Sequence, residues 1–595
     1  MASTRVSSPT PSVAEQQAPS RGRLFPRLRD IRLSDLTSKK TWLGDYDYAA
    51  MFSFRSRKLP FFGPEEPLPV VLALVLGLQH ALAMVGGLVV PPLLLGGGAG
   101  AALDSDETTY LVSSSLIWCA LGTCIQVSRI PLGKGYFIGT GVLNVIGTSF
   151  AFVSTGLTFI NNQYSREDGM CSYDADGNKV PCREAFGALL GSASTVAIIA
   201  VFLSFTSPRY LRRMFTPLIT GAILLTIGLS LLSSGMTNWA GGSSCQSGGF
   251  CTAGRHTDLT YGSPRLIGLG FSVWISIILF DLLGPPLIKN LSTVLGLLVG
   301  IIISASTGYF TGSSITSAPV ASFLWVKTFP LSVRGELILP FLASYLVVIS
   351  EGIGNITATA SASLLPIEGP DFASRIQGGL LSDTLWAALA GLATVPPSTT
   401  FSQNISIIAL SNNASRLSGY TCAMWLFIMG IFAKFGAVFV AMPSSVIGGL
   451  TVFLFSSVAI AGLRILATVR WTRRARFIAT AALSLGFSAI VSPDWFENFF
   501  TYSGSNHALR GFLDALTLIV SEGYLITLVI GIPLQWITPL GEEDLEAQEL
   551  EKGGLPVTAV EAGGSGSVGG NKYRHELGPV RRATEEMMLE PVDSK

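Results

Sequence analysis

The segment "VPPSTTFSQNISIIALSNN", residues 395–413, decides how this chain folds. Apolar sequence bounds it on both sides, yet it carries Gln403, Asn404, Ser406, Ser411, Asn412 and Asn413. An amide left unpartnered in hydrocarbon is expensive, so these side chains either join helices or face a ligand. Pro396 and Pro397 cannot continue a preceding helix but suit the start of a new one. The expectation is a short, polar half-helix set at membrane depth.

The surrounding chain supports a membrane setting. Of 595 residues, 49% are hydrophobic and 13% charged, against about 25% charged in a soluble globular protein. The charges crowd into residues 1–66, short turns and the tail after Gly541. The run Leu68–Leu95, "LPVVLALVLGLQHALAMVGGLVVPPLLL", exceeds the about 20 apolar residues that a bilayer core requires. Further spans fall near 108–129, 137–156, 186–206, 216–235, 266–287, 289–310, 337–358, 376–395, 397–413, 418–440, 442–464, 474–492 and 511–534. The expected fold is an all-α polytopic membrane protein of about 14 transmembrane segments.

The N-terminal stretch has no apolar core of the signal-peptide kind, so residues 1–66 read as a disordered cytoplasmic arm. Residues 536–595 read as a disordered cytoplasmic tail, acidic and then Gly/Ser-rich, in which Lys552, Lys572 and Lys595 are candidate handles for ubiquitin and the endocytic machinery. A net charge of +1 says nothing about nucleic acid, but no basic cluster with interleaved aromatics occurs, so nucleic acid is not an expected partner. No Cys/His metal spacing and no nucleophile–base pair occur, so the reading is no enzyme, no cofactor and no metal.

Placing the N-terminus inside puts the basic loops "SPRYLRRMF" and "LATVRWTRRARF" in the cytoplasm, as the positive-inside rule requires. Both termini are then cytoplasmic. The same choice places Cys171 with Cys182, and Cys245 with Cys251, on the oxidising side, where each pair is a candidate disulfide. Free or mixed-paired thiols are the alternative. Cys119, Cys124 and Cys422 fall in spans and read as packing residues. The N-x-S/T sequons at Asn290, Asn355, Asn404 and Asn413 lie in spans or inside, out of reach of glycosylation. Gly133, Gly135, Gly139 and Gly141 loosely imitate a dinucleotide fingerprint, but no strand–turn–helix unit surrounds them.

The third span, "FIGTGVLNVIGTSFAF", is interrupted like the tenth. Two short, Gly- or Pro-broken segments in matching halves mark an inverted-repeat transporter, and their spacing of seven spans predicts a seven-plus-seven repeat.

Polar groups inside the spans then nominate a site. Gln79 and His80 lie in the first span, and Asp383 opens the ninth. Glu351 and Asn355 share a helix face one turn apart in the eighth, and Gln403 with Asn404 follow the double proline. Singly, Gln79 and Asn355 read first as interhelical hydrogen bonders, His80 equally as a hydrogen-bonded core residue or a proton carrier, and Asp383 also as a snorkelling or capping residue near a span end. Glu351 does not, because a carboxylate deep in an apolar span is functional by default. Gly352 and Gly354 beside it admit close approach of a helix or a ligand. A side-chain amide presents a donor and an acceptor side by side, matching the N–H/C=O edge of a lactam or imide. A carboxylate can take the remaining N–H groups and can carry a proton through a cycle.

Several segments carry a family likeness: Gln79-His80, "SEGIGNITAT", "SRIQGGLLSD", "TTFSQNISIIALSNN", "MGIFAKFGAVFVAMPSSVIGGLTVFLFSSVAIAGLRIL" and "LGDYDYAAMF". From about Gly44 to about Pro539 the chain resembles the nucleobase–ascorbate transporter family, in particular its fungal uric acid–xanthine permeases. The family signature, Q-N-x-G-x-x-x-x-T followed by Arg, Lys or Gly, is matched at Gln403 and Asn404. It is altered at Ser406, Ser411 and Asn412. The resemblance implies that Gln403 and Glu351 hold the purine by side chain, with backbone at Phe150 and Ser402 completing the site. It further implies that Asn404, Asn355 and Asp383 support geometry and proton coupling, that His80, beside Gln79, links the first helix to that network, and that Tyr524 gates selectivity. Ser406, Ser411 and Asn412 bear on substrate range. Asn355 stands where the family commonly has Asp.

The resemblance also implies a core domain (67–206 and 337–440) and a gate domain (207–336 and 441–535). It implies homodimers, an elevator-type motion and proton symport of xanthine or uric acid across the plasma membrane. The competing readings are a carrier of another base such as uracil, an anion exchanger, which would want a basic residue where Glu351 stands, and a non-transporting purine receptor.

Overall fold

The computed structural model describes residues 39–53 and 60–544, apart from positions 45, 167, 176, 207–209, 212–213, 247–249, 497–498 and 500–505. Most of the N-terminal arm, the tail lysines Lys552, Lys572 and Lys595, and Arg209, Arg212 and Arg213 of the first basic loop lie outside the described residues.

Among the described residues, eight helices are long and apolar enough to cross a membrane. They are α1 (Val70–Gly96), α2 (Ser105–Val127), α4 (Arg183–Ser204), α5 (Pro217–Trp239), α6 (Pro264–Leu283), α8 (Gly335–Ala362), α13 (Ser444–Leu466) and α14 (Arg473–Val491). Two bent helix pairs, each a broken span or a re-entrant loop, are apolar enough when taken together. α11 (Arg416–Ile431) meets α12 (Ala433–Val440) at 74°, and α15 (His507–Ser521) meets α16 (Gly523–Ile537) at 94°. The sequence had each as one straight span. α7 (Ser292–Ser306) is shorter, and α9 (Pro370–Ala390) carries more polar residues. The protein is a multi-pass membrane protein.

Burial separates an inner set of helices from an outer one. In α2, 83% of the best apolar window is covered by other parts of the protein, whereas in α6 only 28% is. Since lipid tails are as apolar as leucine, burial of apolar surface does not drive such helices together; close packing and hydrogen bonds do. The stacked indoles of Trp118 on α2 and Trp386 on α9 illustrate this, with centroids 4.2 Å apart and Trp386 Nε1 donating to the Trp118 carbonyl at 2.9 Å.

The all-α expectation requires correction. Among the described residues there are three two-stranded antiparallel sheets: β1 (Ile130–Gly133) with β2 (Tyr136–Ile138), β4 (Cys251–Ala253) with β5 (His256–Leu259), and β3 (Ile146–Thr148) with β6 (Ser398–Thr400). The last sheet joins the two interrupted spans. Each is extended first and helical afterwards, as α3 (Ala151–Ser165) and α10 (Gln403–Ser411). Polar, glycine- and proline-bearing sequence cannot sustain a helix there. Pairing strand to strand satisfies its backbone where no water is at hand. Away from the spans, the structure bridges Cys171 to Cys182 and Cys245 to Cys251, and leaves Cys119, Cys124 and Cys422 as free thiols.

A separate small unit gathers residues 470–476 with residues 538–544. Within it Thr472 Oγ1 donates to Asp544 at 2.6 Å and the Arg473 backbone N–H to Glu543 at 3.0 Å.

Candidate substrate site

The site grows from the β3–β6 ladder. Ile146 faces Thr400, Gly147 faces Thr399 and Thr148 faces Ser398. The Phe401 N–H donates to the Val145 carbonyl at 2.9 Å, and the Ser149 N–H to Pro397 at 2.8 Å, extending the ladder at both ends. Because the strands are antiparallel, the two half-helices leave the crossing in opposite senses. Neither Phe150 nor Ser402, the residues preceding α3 and α10, supplies a side-chain cap. The first-turn N–H groups and the positive dipole ends therefore flank the ladder. The rings of Phe150 and Phe401 lie nearly parallel, 6.3 Å apart and 13° off. Phe401 reaches this position only because Gly87 and Gly147 lack a Cβ, which would fall 2.7 Å and 2.4 Å from its ring.

Thr400 is the hub of the support. Its hydroxyl donates to Asp383 Oδ1 at 2.8 Å and its backbone N–H points to Asp383 Oδ2 at 3.4 Å. Its carbonyl accepts from Asn355 Nδ2 at 2.8 Å. Gln126 Nε2 donates to both Thr400 Oγ1 (2.8 Å) and Asp383 Oδ1 (3.2 Å). The expectation that Asp383 opens its span is corrected: helix α9 starts at Pro370, and Asp383 lies deep in it at 1% exposure. Its start was misjudged because polar residues fill the first turns of α9.

Glu351 sits on α8 with Asn355 one turn away, within hydrogen-bonding reach of its carboxylate and in electrostatic contact with Asp383. Gly352 allows α8 to approach α9, its Cβ position lying 3.0 Å from Leu380, whereas Gly354 meets only open space. Asn404 secures the other strand, donating from Nδ2 to the Leu143 carbonyl at 2.6 Å. Gln403 begins α10 half-buried, and among the described residues its side-chain amide has no hydrogen-bond partner.

The structure does not gather every nominated residue here. His80 is fully buried, but among the described residues neither ring nitrogen has a hydrogen-bond partner, so the expected link into the network is not made. Gln79 instead lines a small cavity with Tyr46, Met51, Asn290 and Ser411. Ser406 is exposed and returns its hydroxyl to the Gln403 carbonyl at 2.8 Å, and Ser411 does the same to Ile407 at 2.7 Å. Asn412 ends α10 in the left-handed region at φ 51°, a conformation that asparagine tolerates better than most residues. Tyr524 is buried, its hydroxyl engaged by Ala151, Thr155 and Ser344 rather than turned to an open site.

Gln126, Thr400 and Glu522 were passed over in the sequence. Glu522, in "VSEGYLIT", carried the same signal as Glu351: a carboxylate inside an apolar run. Gln126 and Thr400 carried none, because their role exists only through partners far along the chain.

Comparison of the sequence with known proteins identifies a family. The Xan_ur_permease family, described as a permease family, matches residues 72–495. A purine permease of Emericella nidulans is 47% identical over 551 residues, covering 90% of this chain and 95% of that one. The uric acid–xanthine permease of the same organism is 44% identical, covering 86% and 90%. The xanthine permease XanQ of Escherichia coli is 33% identical, covering 73% and 87%. The relatives are transporters rather than enzymes, and this chain belongs to their permease family, that of the nucleobase–ascorbate transporters.

Proposed function

We propose that this protein takes up oxopurines, xanthine and uric acid foremost, across the plasma membrane together with protons. What supports this reading is the ladder itself, flanked by two uncapped half-helices, with Gln403 opening α10 and Asn355, one turn from Glu351, donating to the Thr400 carbonyl. The Gln403 amide matches a purine N–H/C=O edge, Glu351 takes a further N–H, and Phe150 and Phe401 offer flat apolar surfaces. The backbone N–H groups at Phe150 and Ser402 face purine oxygens. Asp383, Asn355 and Asn404 hold the frame. The printed substrates of the relatives, purines, uric acid and xanthine, support the ligand class.

In this reading the proton rests on two buried carboxyl groups, Glu351 and Asp383, close enough to feel each other's charge, so that gaining or losing one proton changes their mutual repulsion. In this reading fourteen segments form seven-plus-seven repeats. The core (67–206, 337–440) carries the site past a gate (207–336, 441–535) in an elevator-type motion, in a homodimer with both termini cytoplasmic.

The test is uptake of labelled xanthine in cells lacking their own permeases, with competition by a panel of bases at several external pH values. Uptake that xanthine and uric acid compete, that falls as external pH rises and that collapses with a protonophore supports the proposal. Uptake that follows sodium and ignores pH overturns the coupling. Competition by uracil instead of xanthine overturns the ligand, and binding without uptake makes the protein a receptor.

A further inference from the structure

The last apolar segment breaks by 94° between α15 and α16, and the residue in the break is a buried carboxylate, Glu522, at 3% exposure. Its two oxygens each accept from a hydroxyl of the first half-helix: Ser154 Oγ to Oε2 at 2.6 Å and Thr158 Oγ1 to Oε1 at 2.7 Å. Two residues on, Tyr524 donates to the Ala151 carbonyl at 2.9 Å and meets the hydroxyls of Thr155 and, at 2.9 Å, Ser344. Ala151, Ser154, Thr155 and Thr158 share one face of α3, so the whole first two turns of that helix are fastened to the break. Further along α15, Arg166, just beyond the end of α3, makes a paired contact with Asp514 at 2.7 and 3.1 Å and reaches Glu336 at 3.2 Å. Arg510 pairs with Asp168 at 2.7 Å.

We infer that Glu522 is a positioning residue for transport, a clamp that fixes the first turn of α3, and with it the Phe150 backbone at the site, against the segment on the opposite side of the core–gate division. The inference rests on the elevator reading above. A core that slides past the gate must give up these contacts, because a hydrogen bond lengthened by an ångström or more is lost. Glu522 is therefore made and broken once per cycle, and it sets both the geometry of the α3 end and the share of protein in the clamped state. That share scales the apparent affinity directly.

The experiment uses the full-length protein in permease-free cells. Glu522→Ala, at parental surface level, shifts the KM for xanthine threefold or more, and Glu522→Gln, which keeps an acceptor and the shape, restores it. Ser154→Ala combined with Thr158→Val reproduces the Glu522→Ala change. Parental KM and Vmax in both sets overturn the inference. A second arm stands if Glu522→Ala fails to reach the surface: Arg166→Cys with Asp514→Cys, bridged by an impermeant thiol cross-linker. Bridged protein loses uptake at least tenfold while still binding labelled xanthine, and treated single mutants do not. Bridged protein that transports at the parental rate overturns the clamp alone, whereas a parent that transports no purine overturns the functional reading instead.

Discussion

The two half-helices start from one ladder and end in different company. α3 sends its hydroxyls outward, Ser154 and Thr158 to Glu522 and Thr155 to Tyr524, and its far end is tied by Asn161, which accepts from Lys179 Nζ at 2.7 Å. α10 turns its hydroxyls back on itself at Ser406 and Ser411, and it is held from behind through Thr400 and Asn404. One helix is fastened by what surrounds it, the other by the strand that leads into it. The lesson is that equal sequence signals, two short polar interruptions, conceal unequal anchoring; in the proposed site α10 would present its unpartnered Gln403 amide and α3 its backbone.

The largest expected effect breaks that division. Gln403→Ala and Glu351→Ala each abolish xanthine uptake with surface level unchanged, since unpairing a buried amide or carboxylate contact costs roughly 1–3 kcal/mol on each side. Near-normal uptake in Gln403→Ala would move the ligand-reading role to α3.

Next is the matched pair of strand threonines. Thr400→Val leaves the buried Asp383 Oδ1 with Gln126 as its remaining donor, whereas the Thr148 hydroxyl only supplements helix carbonyls at Gly87 and Leu88. Thr400→Val should therefore lower the melting temperature and uptake of the purified and expressed protein more than Thr148→Val, by about 1–3 kcal/mol. Equal losses would show that the two strands are supported alike.

Smaller again is the end of α10. Asn412→Ala forces a residue without asparagine's tolerance of the left-handed region into positive φ and costs about 1 kcal/mol, while Asn412→Gly, which fits that backbone, costs less. Melting of the detergent-solubilised protein separates the two. A neutral alanine would mean that the helix can end elsewhere.

The smallest effect concerns the outer end of α3. Burial pulls the Lys179 ammonium down to about 8 from 10.5. The unfolded chain then holds this proton more firmly than the folded one, so stability rises with pH between those values. Lys179→Met should remove a shallow upward trend in melting temperature from pH 8 to 10. An unchanged trend would assign it to other groups.

How much of this was legible depends on where the cause lies. Fold class followed from segregation of charge and from runs like Leu68–Leu95, because the cost of burying a charge or a bare peptide in lipid acts residue by residue. Glu351, Gln403 and Asn404 were nominated for the same local reason. A cost that is met by a distant partner leaves no such local mark. Asp383 lies mid-helix because Thr400 and Gln126 satisfy it, and His80 was assigned a network that the folded chain does not connect.

By itself, then, the sequence determined that this chain crosses a membrane many times, that two spans are interrupted, and that a carboxylate and an amide stand at polar points within them. Hydrophobic periodicity, prolines and misplaced charges are short-range properties, readable without a fold. Only the tertiary structure decided that the interruptions pair as strands, that Thr400 gathers Asp383, Asn355 and Gln126, and that Glu522 reaches Ser154 across 368 positions of chain. A hydrogen bond at membrane depth is worth having only with its partner in place, and packing brings that partner from far away in the sequence.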